Sequence, residues 1–371
     1  MLEVAQELSS RGVEVELSSS GEVAGLIRRR GYRCNSLPLA DVRYSDNGEF
    51  ALKQTMLDSP SILARTYHQL VSEVGYIDRF HPDVVLSDSA LSTVLAGRIL
   101  RLPVYTVLNQ LNLTSSHGGE GAVSRLLSTG ISAGMGKLWE FSDEVLLPDL
   151  PPPHTISEKN LWGSNVEKTR YVGFLTPSES GIPDQAALEF ASGNLPKVFW
   201  QVSGPPKTRA NLLKVAVRCA EALEGSCSFV VSGGSPSSNT RPVKIAGGWY
   251  YGWCDIADFY FKACDVVVSR AGHGTIGQTI MSSKPSLLVP IPRQPEQEGN
   301  ADKAVRLGVS LRVSQDDLSP NKLKECFDTL LDGGFAERAK ALGEAARAFD
   351  AKEEIVRTIL GAANGGRPGP G

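Results

Sequence analysis

The stretch Asp265-Val266-Val267-Val268-Ser269-Arg270-Ala271-Gly272-His273-Gly274-Thr275 decides the fold, together with Pro285-Ser286-Leu287-Leu288-Val289-Pro290 and Glu296-Gln297-Glu298-Gly299-Asn300 behind it. A short apolar run made largely of valine predicts a buried strand. The two glycines that follow predict a turn, and the next segment a helix that leads into a second strand and then a polar loop. This is a βαβ unit whose turn opens a helix. The first amides of a helix have no intrahelical acceptor and lie at the positive end of its dipole, so an anion is favoured there. Gly272 and Gly274 let a phosphate come close to the backbone, and Thr275 adds a hydroxyl.

The same alternation extends in both directions. Residues 197–202, 228–232 and 250–253 read as strands, with helices at 210–223 and 255–262 and further helices from about 320 to 359. Earlier, a helix opens the chain with Leu2, Val4, Ala5 and Leu8, followed by a strand at 13–17, a helix at 22–30, strands at 84–86 and 104–108 and a helix at 90–100. A parallel sheet covered by helices usually begins with a strand, whereas this sequence begins with a helix, so a strand and its turn are expected ahead of Met1. Residues 176–183, rich in Pro, Ser and Gly, mark the break between two similar halves. The expected division is an N-terminal domain at 1–175, a linker at 176–196, a C-terminal domain at 197–360 and a disordered tail at 361–371.

Bulk properties narrow the function. A chain of 371 residues with 41% hydrophobic and 21% charged residues is an ordinary globular composition, long enough for two domains. A net charge of −3 without a basic stripe argues against nucleic acid as a partner. The six cysteines form no Cys-x-x-Cys pair, which fits thiols in a reducing compartment. No apolar run reaches the roughly 18 residues of a membrane span, and a cytoplasmic location is expected.

Further glycine turns, at Ser203-Gly204 and at Ser232-Gly233-Gly234, follow the other strands of the second half. Turns after successive parallel strands share one carboxyl edge, where open α/β sheets bind ligands. Arg270 is a candidate for neutralising phosphate, or a solvated arginine. His273 either donates to a phosphate oxygen or simply starts the helix. Glu296, Gln297 and Asn300 offer carboxylate and amide groups suited to sugar hydroxyls, and Trp253 with Cys254 a flat face for a nucleobase. No Asp-x-Asp triplet occurs, so no metal site and no cofactor are expected.

The ordered set from Asp265 to Thr275, then Lys284-Pro285, Pro290 and Glu296-Gln297-x-x-Asn300-Ala301, resembles the C-terminal donor domain of family 28 glycosyltransferases. This family includes the enzyme that adds N-acetylglucosamine to the lipid-linked peptidoglycan precursor. The likeness covers about residues 197–313; in the first half it is looser and rests on 82–88 and 103–110. It implies the GT-B fold, two Rossmann-like doubly wound α/β domains facing a cleft. It also implies that Gly272, His273, Gly274 and Thr275 face a donor diphosphate, that Trp253 and Cys254 meet uracil, and that Glu296 and Gln297 meet the sugar. Gln278 stands where the family usually has a glutamate holding the ribose. The family's first strand runs into a glycine-rich turn, often with a histidine, and Met1 falls just after that place.

The expected function is therefore transfer of a hexose or N-acetylhexosamine from a UDP-sugar to an acceptor hydroxyl, inverting and metal-independent. The acceptor is lipid-linked or a small molecule, and residues 122–141 are apolar enough for peripheral contact with the inner face of a membrane. No catalytic base is assigned; His117 and Asp88 are the candidates. The alternatives are a nucleotide-sugar epimerase of the same fold and a catalytically silent nucleotide-sugar-binding subunit.

Overall fold

The computed structural model describes residues 1–39, 45, 51–111, 137–161, 168–177 and 181–365. In the first half, α1 (Leu2–Ser10), β1 (Leu17–Ser20), α2 (Gly21–Arg29) and β2 (Cys34–Leu37) precede α3 (Leu52–Leu57) and the long α4 (Ser59–Phe80). They are followed by β3 (Val85–Asp88), α5 (Leu91–Ile99), β4 (Val104–Val107), β5 (Glu144–Leu147), α6 (Glu158–Leu161) and β6 (Thr169–Tyr171). β1 and β2 form a two-stranded parallel pair, and β3-β4-β5-β6 a separate four-stranded parallel sheet.

The second half contains α7 (Gln185–Ser192), β7 (Lys197–Gln201), α8 (Pro206–Ala222), β8 (Ser228–Ser232), β9 (Val243–Ile245), β10 (Gly248–Tyr251) and α9 (Ala257–Ala263). Then come β11 (Val266–Ser269), α10 (His273–Met281), β12 (Ser286–Leu288), α11 (Pro295–Arg306), β13 (Ser310–Arg312), α12 (Pro320–Asp332), α13 (Phe335–Ala346) and α14 (Ala351–Ala363). Its seven-stranded sheet has the order β13-β12-β11-β7-β8-β10-β9, parallel except where β9 runs against β10.

Strand β11 shows why the valine run folds this way. Val266 and Val268 pack among Leu212, Ala216, Leu323 and Phe327 on one face, while Val267 packs with Phe199, Tyr260 and Phe261 on the other. A parallel strand buried on both faces needs apolar residues at every position. Fully burying each valine stabilises the fold by about 1.5–3 kcal/mol.

Several elements differ from expectation. The alternation at 13–17 predicts a strand there, but pairing begins only at Leu17, where Cys34 provides a partner. The polar loop expected at 296–300 is the first part of α11, which Pro295 opens at a position where its lack of an N–H is harmless. The linker holds α7, whose Ala187 and Phe190 pack against Phe199 and Tyr260 of the second half. Helix α14 returns to the first half, with Ile355, Val356 and Ile359 packed against Val4, Leu8, Tyr105 and Leu146. The segment expected as a tail is therefore helical through Ala363, and 366–371 lie outside the described residues.

Candidate functional site

From β7 the chain passes to β8 on one side, while β11 lies on the other, so the order reverses between β7 and β11. Ligands of open α/β sheets bind at such a switch point, outside the carboxyl ends of the strands. Gln201 ends β7 there, Ser203 and Gly204 follow it, and Gly272 with the start of α10 follows β11. Gly204 has φ +106°, and a Cβ on it would stand 2.9 Å from Thr208 Oγ1, so this turn requires glycine for conformation and for space.

Gly272 and Gly274 are glycines for a different reason. Neither has a positive φ, and a Cβ added to either meets no protein atom within 4 Å. Gly272 is the N-cap of α10 and offers no side-chain acceptor to the first-turn amides. Neither packing nor backbone geometry demands glycine at these positions. What two hydrogens in place of two side chains do provide is access to the helix start from outside.

The other expected donor-site residues divide into those that face the cleft and those that hold it together. Trp253, Cys254 and Gln278 line a cavity of about 1360 Å³ that opens between the halves, joined there by Gln201, which the sequence did not single out, and by Asp88 from the first half. Gly233 closes against Tyr250, whose hydroxyl would stand 2.7 Å from an added Cβ. Arg270 does not face the cleft. Its fully buried guanidinium donates to the carbonyls of Val289 (3.1 Å), Pro290 (3.3 Å) and Thr208 (2.9 Å) and to Gln315 Oε1 (2.7 Å). Burial without a carboxylate partner lowers its pKa to about 10. It is a clamp on the turn, not a phosphate neutraliser.

His273 is likewise turned inward, its Nε2 lying 3.0 Å from Asp149 Oδ2. Burial pushes the Asp149 carboxyl up, but hydrogen bonds from His273 and Ser157 outweigh it and hold the group below its usual range. The amides of Leu150, Ile156 and Ser157 and the Ser157 hydroxyl also donate to this carboxylate. Asn300 is buried, giving its amide to Ala271 O at 3.2 Å and accepting from Asn160 Nδ2 at 3.1 Å. Gln297 is buried too, its Oε1 capping the Ile291 amide at 2.9 Å. Asn300 and Gln297 thus brace the site from behind. Glu296 remains at the seam, with Oε1 3.4 Å from both Asn109 Nδ2 and Asn300 Nδ2. Desolvation raises its pKa, opposed by His273 and by the two amides.

Asp149, Asn109 and Asn160 escape sequence reasoning because the partners that tie them to the site, His273, Glu296 and Asn300, are more than a hundred residues away. Asp88 lies in the cavity recess, where desolvation raises its pKa and the nearby amino group of Met1 opposes the rise. His117 and residues 122–136 of the apolar segment lie outside the described residues.

Residues 210–355 match the glycosyltransferase family 28 C-terminal domain. Over 97% of its length the chain is 26% identical to an uncharacterized glycosyltransferase of Methanosarcina mazei, covering 93% of that protein. Over 96% it is 25% identical to the UDP-N-acetylglucosamine–N-acetylmuramyl-(pentapeptide) pyrophosphoryl-undecaprenol N-acetylglucosamine transferase of Chlorobium phaeobacteroides, covering 93% of it. The spinosyn rhamnosyltransferase complexed with thymidine diphosphate superposes with a TM-score of 0.67 at 18% identity, over 97% of this chain and 95% of that one. The second half of the molecule therefore carries a glycosyltransferase family 28 C-terminal domain, within a chain that has the GT-B fold.

Proposed function

We propose that the protein is an inverting glycosyltransferase that takes a hexose or N-acetylhexosamine from a UDP-sugar. One observation carries the reading: the start of α10 is bared by two glycines that neither packing nor φ requires, at the switch point of the sheet. A diphosphate fits the amides of 273 and 274 and the positive dipole end, and negative charge grows on that group as the sugar departs. A fixed donor array aimed at developing charge stabilises the transition state more than the ground state. The uracil would lie against the Trp253-Cys254 turn, the ribose near Gln278, and the sugar toward Glu296 and Asn109, with the acceptor entering from the first half. An acceptor hydroxyl then forms the new bond to the anomeric carbon as the bond to the diphosphate oxygen breaks, and its proton passes to a base. Asp88 lines the cleft from the first half, on the side from which the acceptor enters, and desolvation raises its pKa, which suits it to that task.

The choice of uridine and of a lipid-linked or small-molecule acceptor is supported by the Chlorobium relative, whose name contains both a UDP-sugar and an undecaprenol-linked substrate. The matched relatives are transferases, which favours transfer over an epimerase or a silent binding subunit. The test is incubation with UDP-N-acetylglucosamine, UDP-glucose, UDP-galactose and TDP-glucose, with lipid-linked and soluble acceptors. Nucleoside diphosphate release and the anomeric configuration of the product are then measured. Acceptor-dependent release of UDP with inversion supports the proposal; release from the TDP-sugar alone, or interconversion of UDP-glucose and UDP-galactose without release, contradicts it.

A further inference from the structure

Several side-chain amides around the cleft are already paired. Gln297 caps the Ile291 amide, Asn160 donates to Asn300, and Asn109 reaches Glu296. Two others are not paired. The side-chain amides of Gln201 and Gln278 line the cavity and make no hydrogen bond to any described residue. The Oε1 of Gln201 is also buried, so it bears the cost of lost hydration with no hydrogen bond to offset it.

Strand register shows where Gln201 points. In β7, Phe199 and Gln201 share one face of the sheet. Parallel pairing puts Val267 and Ser269 of β11 on the same face, and Leu288 of β12 beside Ser269. Phe199 packs there with Tyr260 and Phe261 of α9, while Leu288 packs with Ile276 and Ile280 of α10. Helices α9 and α10 therefore cover the same face, and both begin at the carboxyl edge of the sheet. Gln201, the last residue of β7, faces the gap between their first turns. The Trp253-Cys254 turn leads into α9 on one side of this gap, and Gln278 stands on the second turn of α10 on the other.

A nucleotide with its base on the 253–254 turn and its diphosphate on the start of α10 must carry its ribose across the gap. Ribose has two vicinal hydroxyls, each able to donate one hydrogen bond and accept two. A primary amide has both an acceptor and donors, so it pairs with a hydroxyl in either orientation. Its end group also turns easily about the last side-chain bond, so a hydroxyl that donates to Oε1 of Gln201 relieves the unpaired oxygen on binding. We infer that Gln201 and Gln278 together hold the ribose diol of the donor nucleotide, one hydroxyl each, and that Gln201 is a specificity-determining residue that tells ribose from deoxyribose. The inference rests on the proposed nucleotide-sugar reading and adds to it a residue of β7. Neither amide titrates, so the contact keeps its strength across the pH range in which a carboxylate would lose its charge.

Calorimetric titration of the full chain with UDP, 2′-deoxy-UDP and 3′-deoxy-UDP tests this assignment. The wild type should bind UDP about tenfold or more tightly than either deoxy nucleotide, because each of those leaves one amide unpaired in the site. Gln201→Ala should weaken UDP by a similar factor and cease to distinguish it from one of the deoxy nucleotides, while still rejecting the other. Gln278→Ala should show the reverse. Gln201→Met keeps the length of the side chain without its polar atoms and gives the same readout if the alanine variant is unstable. Equal affinity of the wild type and the Gln201 variants for UDP overturns the inference. So does a wild type that binds all three nucleotides alike, or a Gln201 variant that loses equally toward all three, which would put its contact on the base or the diphosphate. No binding of UDP by the wild type has a different meaning: it removes the nucleotide-sugar reading itself, and this assignment with it.

Discussion

Replacing Gly274 by alanine should separate ligand binding from folding. The added methyl meets no protein atom within 4 Å, and Gly274 lies in the first turn of α10 without a positive φ. On folding grounds alanine is the better residue in a helix, by up to about 0.5–1 kcal/mol. On binding grounds the methyl enters the space through which a diphosphate reaches the amides. Losing one hydrogen bond to a charged oxygen costs about 1.5–3 kcal/mol, equivalent to roughly 10- to 100-fold in affinity. Thermal unfolding and calorimetric titration with UDP measure both quantities on the same sample. The expected outcome is an unchanged or raised Tm with UDP bound at least about tenfold more weakly. A clear fall in Tm would show that the glycine is structural. Unaltered UDP affinity with intact stability would show that the diphosphate does not use this helix start.

Other expectations concern the groups that brace the site. Asp149→Asn leaves several donors facing one carbonyl oxygen and should cost about 2–4 kcal/mol at neutral pH in denaturant unfolding. Because the native carboxyl is held below its usual range, its contribution is present above the unfolded pKa and is lost as pH falls through the native one, so the gap between variant and wild type should narrow below about pH 4. Glu296 has the opposite sign: its raised pKa weakens the native state above that pKa, so Glu296→Gln should be slightly more stable than wild type at pH 7 and equal to it near pH 4, while sugar transfer falls. Gly277→Ala would place a methyl 2.7 Å from the Phe174 ring at the seam between the halves and should lower stability by about 1–3 kcal/mol, measured by chemical denaturation. Asp88→Asn should abolish acceptor-dependent UDP release while leaving UDP affinity within about twofold, and equal rates in both proteins would remove Asp88 as the base.

How far the sequence was legible depends on which physical signal each residue carries. The valines of β11 and the glycines after it announce strand and turn locally, and both are found where the pattern places them. The segment from Pro295 reads as a loop because it is strongly polar, yet its buried residues Gln297, Asn300, Ala301 and Ala304 are spaced by three and four, a helical face that carries amides instead of hydrocarbon. That spacing would also have turned Gln297 and Asn300 inward. Arg270 carries no such signal: a buried arginine satisfied by carbonyls and one amide oxygen cannot be told from a solvated one by its neighbours in sequence. The alternation at 13–17 reports which side chains share a face and says nothing about whether a partner strand stands beside them. Asp149 sits between prolines in a connector, and its role depends on His273, which only the packed halves bring to it.

The most direct test of the central claim is a crystal structure of the protein with UDP. The diphosphate oxygens are expected within about 3.2 Å of the backbone nitrogens of 273 and 274, with the uracil against the Trp253-Cys254 turn. A diphosphate bound away from the start of α10, with Gly272 and Gly274 facing only solvent, would contradict it.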